Sequence, residues 1–565
     1  MISDAVSQPT AHGPEKYDFL EHALQIATQA DEAPYRNASC AADIWMSVFF
    51  DGTGNSRFLE ETKHPRQRAF TNVAHLFFAH RVPDTVYGIY RLYVPGVGTP
   101  FPEIGDAGGD LEQATGAKGT ERLDWVETQL RRGIDEQKQK GFKVKTIHLA
   151  VFGFSRGSTL ARAFVSKLFG KSAKQNGKLL YNEIVLRIYF VGIFDTVASV
   201  GMPRDHSTYG RDLAIPEVVE KCVHIVAGHE LRFAFPLDSI RRNGKYIPGS
   251  TEYVFPGVHA DVGGGYAKNE QGRDNAYAAV PLNLMLEQAR LAGVPFAKES
   301  SWTQEVAQSF KVSDALKQTF EGYMAALEPT GHSIEETMFA HLKLYWRWRR
   351  LRMNDASAPI PTNLKKFDDA AKQENANLSR QRQAIDEQDR SIVNMAMFTG
   401  MPVSDEQANT LRQDAQKKQQ LDAQMEANKA YAIDRNQWKE ADHATLAEAN
   451  ALLATVKGGH ATTWQKAILA AWSDTRPLPK DAIDFFDHYV HDSQAAWAHY
   501  RDQAAVALIQ NGASQTCAMA FSKIAVEYCA KAQEESDAGT VQFLRPRTLF
   551  FGEKEDIFAV TDTGY

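Results

Sequence analysis

The sequence predicts an α/β fold, a mainly parallel β-sheet with helices on both faces, followed by a large, mostly helical C-terminal region. Between residue 45 and about residue 290, apolar runs of strand length alternate with segments of helical periodicity, the pattern of parallel strands joined by crossover helices. Several of these runs are apolar at consecutive positions, as strands covered on both faces must be. After about residue 300 the strand-like runs stop, and helical segments with wide polar faces take over.

In chain order, the first ~40 residues are polar and predict an arm, assigned to residues 1–40. Strands are predicted at 45–50 (WMSVFF), 91–97 (RLYVPGV), 146–152 (TIHLAVF), 185–194 (VLRIYFVGIF), 222–227 (CVHIVA) and 252–258 (EYVFPGV). Residues 121–138 carry helical periodicity, and so does the segment after Ser155, where Leu160, Phe164 and Leu168 fall four apart and Gly170 is a natural stop. A catalytic domain over 41–299 follows from these elements. Next comes a helical insertion, 300–460, in which Ser333-Ile-Glu-Glu336 is a capping box opening a helix that runs through 338–353. Within it, the Gln-, Ala- and Lys-rich stretch 364–455, interrupted at Phe398-Thr-Gly-Met-Pro402, predicts two polar helices paired as a hairpin, with disorder as the alternative. Beyond 460 the composition is core-like again, and in 461–565 a predicted strand, RTLFFG (547–552), is placed to pack back on the catalytic domain.

The bulk numbers narrow the function classes. In 565 residues, Lys and Arg total 63 against 70 Asp and Glu, so the net charge of −7 provides no field to draw in nucleic acid. The N-terminus lacks the basic opening and apolar run of a secretory signal, and no apolar stretch approaches a membrane span, which predicts synthesis in the cytoplasm. The cysteines Cys40, Cys222, Cys517 and Cys529 are scattered, form no CxxC and are read as buried thiols; no metal site and no cofactor is predicted.

The stretch with chemical content is Gly153-Phe-Ser155-Arg-Gly157, at the point where an apolar strand becomes a helix. A nucleophilic serine on such a turn projects its hydroxyl from a strained backbone, and side chains two residues before and after would clash; Gly153 and Gly157 meet that need. The pattern marks the nucleophile elbow of an α/β-hydrolase-like fold, and its rival is a glycine-softened turn that happens to contain serine. The helix N-terminus places the Arg156 N–H where an oxyanion donor belongs. The second donor is assigned to Gly52, in Asp51-Gly-Thr-Gly-Asn55 directly after the first strand.

Serine needs a histidine to take its proton, and the histidine needs an acid to hold its tautomer. In this fold they follow in the order Ser, acid, His, each on a loop at the C-terminal end of a strand. Asp195 follows the most apolar strand, and His259, one of 17 histidines, follows the last one and precedes Gly263-Gly264-Gly265. The predicted triad is Ser155, Asp195 and His259, with Asp261 as the rival acid and His491 as the rival base.

These residues also carry a resemblance. FFDGTGN (49–55), YVPGVGT (93–99), GFSRG (153–157), FDTVASVG (194–201) and GVHADVGGGY (257–266), in this order, resemble the uncharacterised-domain 2235 α/β-hydrolases, and more narrowly the type VI secretion lipase effectors of the Tle1 kind. The resemblance covers roughly residues 40–290, together with the segments FDHYVHDSQAAW and LRPRTLFFG. It implies a phospholipase of A1 or A2 type acting on the phospholipid bilayer. It further implies export by the contractile secretion machine through its spike protein into the periplasm of target bacteria, and a cognate immunity protein at home. The same triad is implied.

Two segments are read separately. LKLYWRWRRLR (342–352) gathers aromatic and basic side chains, so Tyr345, Trp346 and Trp348 are candidates for membrane contact; the alternative is an interdomain helix that buries Leu344, Trp348 and Leu351 while its arginines pair with acids. The polar hairpin is a solvated spacer or a docking element. Two functional alternatives stand beside the phospholipase: a soluble carboxylesterase or thioesterase with the same triad, and a non-catalytic binding protein on the same fold.

Overall fold

The computed structural model describes residues 41–109, 116–198, 208–211, 213–232, 235–242, 245–328, 333–354, 362–399, 402–430, 435–493, 544, 547–551 and 553–556. The predicted arm 1–40, most of the segment after residue 493, and Cys40, Cys517 and Cys529 lie outside these residues; Cys222 is buried.

The strands are β1 (Ala41–Phe50), β2 (Ile89–Val94), β3 (Lys143–Phe154), β4 (Ala173–Gln175), β5 (Lys178–Tyr181), β6 (Ile184–Phe194), β7 (Cys222–Ala227), β8 (Leu237–Ser239), β9 (Ser250–Phe255), β10 (Leu549–Phe551) and β11 (Glu553–Asp556). The main sheet runs β2-β1-β3-β6-β7-β9, every neighbouring pair parallel, and the β4–β5 hairpin adds antiparallel to the first residues of β6. Because side chains alternate along a strand, neighbouring residues serve opposite cores. Val48, Phe50 and Val151 pack under the helices Gly119–Gln139 and Arg156–Lys171. Phe49 and Phe152, stacked at 4.8 Å, face the helices Asn72–Ala79 and Ala279–Leu291 and the C-terminal helices. The apolar runs are continuous because both faces are covered.

Register positions the site. Phe50 pairs with Gly153 and Phe154 with Phe194, so the residues that leave β1, β3 and β6 emerge side by side at one edge of the sheet. This is the edge where an open α/β sheet binds its ligand.

Three expectations need correction. The helix after Ser155 runs through Gly170 to Lys171 and stops at Ser172 in extended backbone, so Gly170 does not end it. Among the described residues, the polar region contains three helices, Thr362–Thr399, Asp405–Ala430 and Arg435–Lys457, where the sequence suggested two. The first two pair along Leu378, Ile385 and Leu421, whereas the third buries Ala449 and Leu452 in the main core.

The third correction concerns membrane contact. Tyr345, Trp346 and Trp348, on the helix Ile334–Asn354, are 4%, 0% and 5% exposed and belong to the main core. Trp348 stacks on Phe486 at 5.1 Å and donates Nε1–H to Asp487 Oδ1 at 2.8 Å. The arginines between them are drawn to carboxylates and carbonyls: Arg347 to Asp474, Arg349 to Asp442 and Asp492, Arg350 to the Trp472 carbonyl and Arg352 to Asp487. The periodicity that suggested an interfacial helix is that of a helix packed into the main core, although Leu351 stays 42% exposed.

The C-terminal strand β10 lies parallel to β8 in a small second sheet with β11, which brings residues near 547 back to the α/β region.

Candidate active site

Ser155 sits between β3 and the helix Arg156–Lys171 with φ 57° and ψ −127°, a conformation that a non-glycine residue holds only when its surroundings enforce it. Its N–H donates to the Phe194 carbonyl at 3.1 Å, which ties the turn to β6. The flanking glycines are where the turn closes most tightly. A Cβ on Gly153 would lie 2.6 Å from the Gly157 carbonyl oxygen and the Ser158 Cα, and one on Gly157 would lie 2.3 Å and 2.4 Å from the carbonyl oxygens of Phe50 and Asp51. These contacts are backbone, so no rotamer change relieves them.

Asp195 and His259 meet. His259 opens the short helix His259–Gly263 after β9, and its Nδ1 lies 2.5 Å from Asp195 Oδ2. That bond assigns the proton to Nδ1 and leaves Nε2 as the basic nitrogen. The imidazole packs between Phe154, the residue before the serine, at 4.5 Å, and the edge of Phe235 at 5.0 Å. Burial lowers its pKa, and the carboxylate of Asp195 opposes the shift.

Asp195 has φ 41° and no exposed surface. Oδ1 accepts the Ala227 N–H at 2.8 Å and Arg547 Nη1–H at 2.6 Å, and Oδ2 accepts Arg547 Nη2–H at 2.9 Å beside the histidine. Burial alone would raise its pKa, but the Arg547 charge and the His259 hydrogen bond outweigh burial and hold the carboxyl far below the usual carboxylate range.

The two rivals pair with each other. His491 Nδ1 lies 2.5 Å from Asp261 Oδ1, Asp261 Oδ2 accepts the N–H groups of Val258 and His491, and the His491 ring stacks on Tyr266 at 3.8 Å. Asp261 thereby caps the helix that carries His259 and fastens it to the C-terminal region.

The oxyanion assignment divides. Arg156 opens its helix, so its N–H is one of the first-turn groups without an intrahelical acceptor. The Gly52 N–H, in contrast, donates to Asp51 Oδ1 at 2.8 Å, which corrects its assignment as second donor. The next amide in the loop, that of Thr53, makes no hydrogen bond among the described residues, and Thr53 Oγ1 accepts Arg156 Nε–H at 2.7 Å, which holds the loop to the elbow. Asp51 is the reason the loop turns this way. Its buried carboxylate also accepts Thr71 Oγ1–H at 2.6 Å and the Tyr93 hydroxyl, and burial pushes its pKa up to about 6 against the pull of these donors.

Sequence reasoning missed Arg547, Glu230 and Arg232. Glu230 accepts the His259 N–H at 3.2 Å, the Ser493 hydroxyl at 2.9 Å and both ends of the Arg232 guanidinium, and Arg232 lies 3.5 Å over the Phe235 ring. The available signal was an arginine directly before an apolar strand, RTLFF: a buried arginine requires an anionic partner, and one within the fold has to supply it.

Residues 166–288 match the family model described as "T6SS, Phospholipase effector Tle1-like, catalytic domain". The match includes Asp195 and His259 and begins after Ser155, and it supports the resemblance read from the motifs. Among solved structures, the chain is similar to an uncharacterized protein from Pseudomonas aeruginosa, at 20% identity, over 97% of this chain and 85% of that one, with a TM-score of 0.63. A structure titled as the Tle1 effector bound to the VgrG spike of the type 6 secretion system aligns over 54% of this chain and 84% of that one, at 19% identity and a TM-score of 0.37. No curated protein matches the chain.

Proposed function

We propose that the chain is a phospholipase effector of the type VI secretion system that hydrolyses fatty-acyl esters of membrane phospholipids, of A1 or A2 type, through Ser155, His259 and Asp195. The observation that carries the reading is the Asp195–His259 pair, held at 2.5 Å within a segment that matches a phospholipase effector domain and packed through Phe154 against the strained Ser155 turn.

The chemistry follows from the protonation states. Nε2 of His259 takes the proton as Ser155 Oγ attacks the ester carbonyl, and the N–H groups of Arg156 and Thr53 receive the oxyanion. The imidazolium is stabilised by Asp195, which stays ionised throughout. Collapse returns the proton to the departing lysophospholipid oxygen and leaves an acyl-enzyme, which a water deprotonated by His259 then hydrolyses. Export by the secretion machine into the periplasm of rival bacteria, a spike protein as carrier and an immunity protein as antidote belong to the same reading; the family match supports the secretion system, and the other points follow from the resemblance.

Fatty-acid release from mixed phosphatidylethanolamine and phosphatidylglycerol liposomes tests the proposal, with a short-chain nitrophenyl ester assayed alongside. Ser155→Ala is expected to lower both activities by roughly 10⁴-fold or more. Hydrolysis of the ester with liposomes left intact would replace the phospholipase by a soluble esterase, and an active Ser155→Ala would remove the triad.

A further inference from the structure

The catalytic acid has a partner that the proposed reaction does not use. Asp195 lies on the loop after β6, and Arg547 comes from a position 352 residues further along the chain, just before β10. Parallel pairing of Leu549 with Leu237 and Phe551 with Ser239 fixes where β10 docks, so the site depends on the return of the C-terminal segment. The Arg547 side chain is 1% exposed, and its guanidinium meets both carboxylate oxygens in a fork geometry, Nη1 to Oδ1 at 2.6 Å and Nη2 to Oδ2 at 2.9 Å. Its Nε–H donates to the Phe235 carbonyl at 2.6 Å, and the Phe235 ring stands edge-on to His259 at 5.0 Å. One side chain therefore touches the partner of the imidazole on one side and holds the residue that packs against it on the other.

From this geometry we infer that Arg547 is a positioning residue for the Asp195–His259 pair, acting through the carboxylate to fix its rotamer and to tune the basicity of the histidine. The inference rests on the triad reading. Asp195 in this site accepts four hydrogen bonds: from His259, from the Ala227 N–H and two from Arg547. Only the arginine carries a permanent charge, so it alone both locks the carboxylate and draws electron density from the bond to Nδ1. The other charged groups facing the pair are Glu230, whose Oε2 accepts the His259 backbone N–H, and Arg232, which binds Glu230 in turn and offsets it, whereas Arg547 is paired with Asp195 itself and so weakens that carboxylate's pull on the imidazolium. A cation here disfavours the imidazolium. Removing it lets His259 hold its proton to higher pH, and the acid limb of the pH–rate profile moves up.

The test uses the full chain and reads the rate at which a fluorophosphonate labels Ser155, as the Oγ–P bond forms, fluoride leaves and the proton passes to His259 Nε2. For Arg547→Gln, labelling is expected to slow roughly tenfold to a hundredfold, the scale found when a group that orients a functional side chain is removed, with the acid limb raised by about one pH unit. Arg547→Lys is expected to restore the limb because the charge returns, and to recover only part of the rate because the fork is lost. In an Asp195→Asn background the Arg547→Gln effect is expected to shrink below about threefold, since the residue acts through the carboxylate. An unmoved limb, or an equal loss of rate in both backgrounds, would mean that Arg547 only holds the fold together and would overturn the inference. Liposome hydrolysis assayed in parallel keeps the two claims apart: labelled wild type that spares liposomes refutes the phospholipase while leaving Arg547 on trial, whereas unlabelled wild-type Ser155 refutes the triad and this inference with it.

Discussion

Gly157→Ala is the sharpest single test of the elbow. The added Cβ would sit 2.3 Å from the Phe50 carbonyl oxygen and 2.4 Å from that of Asp51, where ordinary contact begins at 3.4 Å. Both obstacles are backbone at the end of β1, so relief requires the helix that starts at Arg156 to move by about 1 Å relative to the sheet. Overpacking of this kind costs about 1–3 kcal/mol of stability. The same displacement carries Ser155 away from the His259 ring and the proposed oxyanion donors, and a 1 Å error in a reacting group lowers the rate by roughly 100-fold. The assay is kcat/KM on a short-chain nitrophenyl ester together with a thermal melt. Gly170→Ala is the internal control: it lies in the same helix, and a Cβ added there would meet nothing within 4 Å, so it is expected to stabilise by roughly 0.5–1 kcal/mol and leave kcat/KM unchanged. If Gly157→Ala keeps kcat/KM within about threefold of wild type, the steric account of the elbow is refuted.

Other outcomes follow from burial and charge. Trp346→Ser removes a side chain with no exposed surface and is expected to cost about 3–5 kcal/mol, so ester hydrolysis and liposome binding should fall together; loss of liposome binding alone, in a folded and active variant, would return this helix to the membrane. Glu252 accepts hydrogen bonds from His224, Ser239, Tyr246 and the Ile240 N–H, and although burial pushes its pKa upward, His224, the Arg241 charge and the Ser239 hydroxyl bring it down to about 2. A depressed folded pKa gives stability that is present above the unfolded value of 4.5 and is lost as pH falls from there toward 2; the shift corresponds to about 3 kcal/mol. Denaturant midpoints measured against pH should therefore show a shallower acid limb in Glu252→Gln, and an unchanged limb would assign acid sensitivity to other carboxylates.

Much of the site was legible because its chemistry is local. A serine at a strand-to-helix turn needs Gly153 and Gly157 within two residues on either side, and Asp195 and His259 stand directly after apolar runs whose length and composition mark them as buried strands. Such signals survive in a linear reading because the steric or topological demand falls on residues close in the chain. Gly52 shows the limit: the loop was recognisable, but which of its amides is free depends on where the Asp51 side chain turns, and Thr71 and Tyr93 decide that from other elements.

By itself, then, the sequence determined the six parallel strands of the main sheet, the strained serine turn and the placement of Asp195 and His259 directly after buried strands, because strand burial and the glycine requirement are read within a few residues. Only the tertiary structure decided the rest. It buried Tyr345, Trp346 and Trp348 in the main core, while Asp474 and Asp492 on neighbouring segments took the arginines of the same helix. It paired Asp261 with His491, and so separated these rivals from Asp195 and His259. It also brought Arg547 to Asp195 from 352 residues away. A buried charge takes whichever counter-charge packing brings within hydrogen-bond reach, and that choice is made by the docking of β10 on β8, which no local pattern encodes.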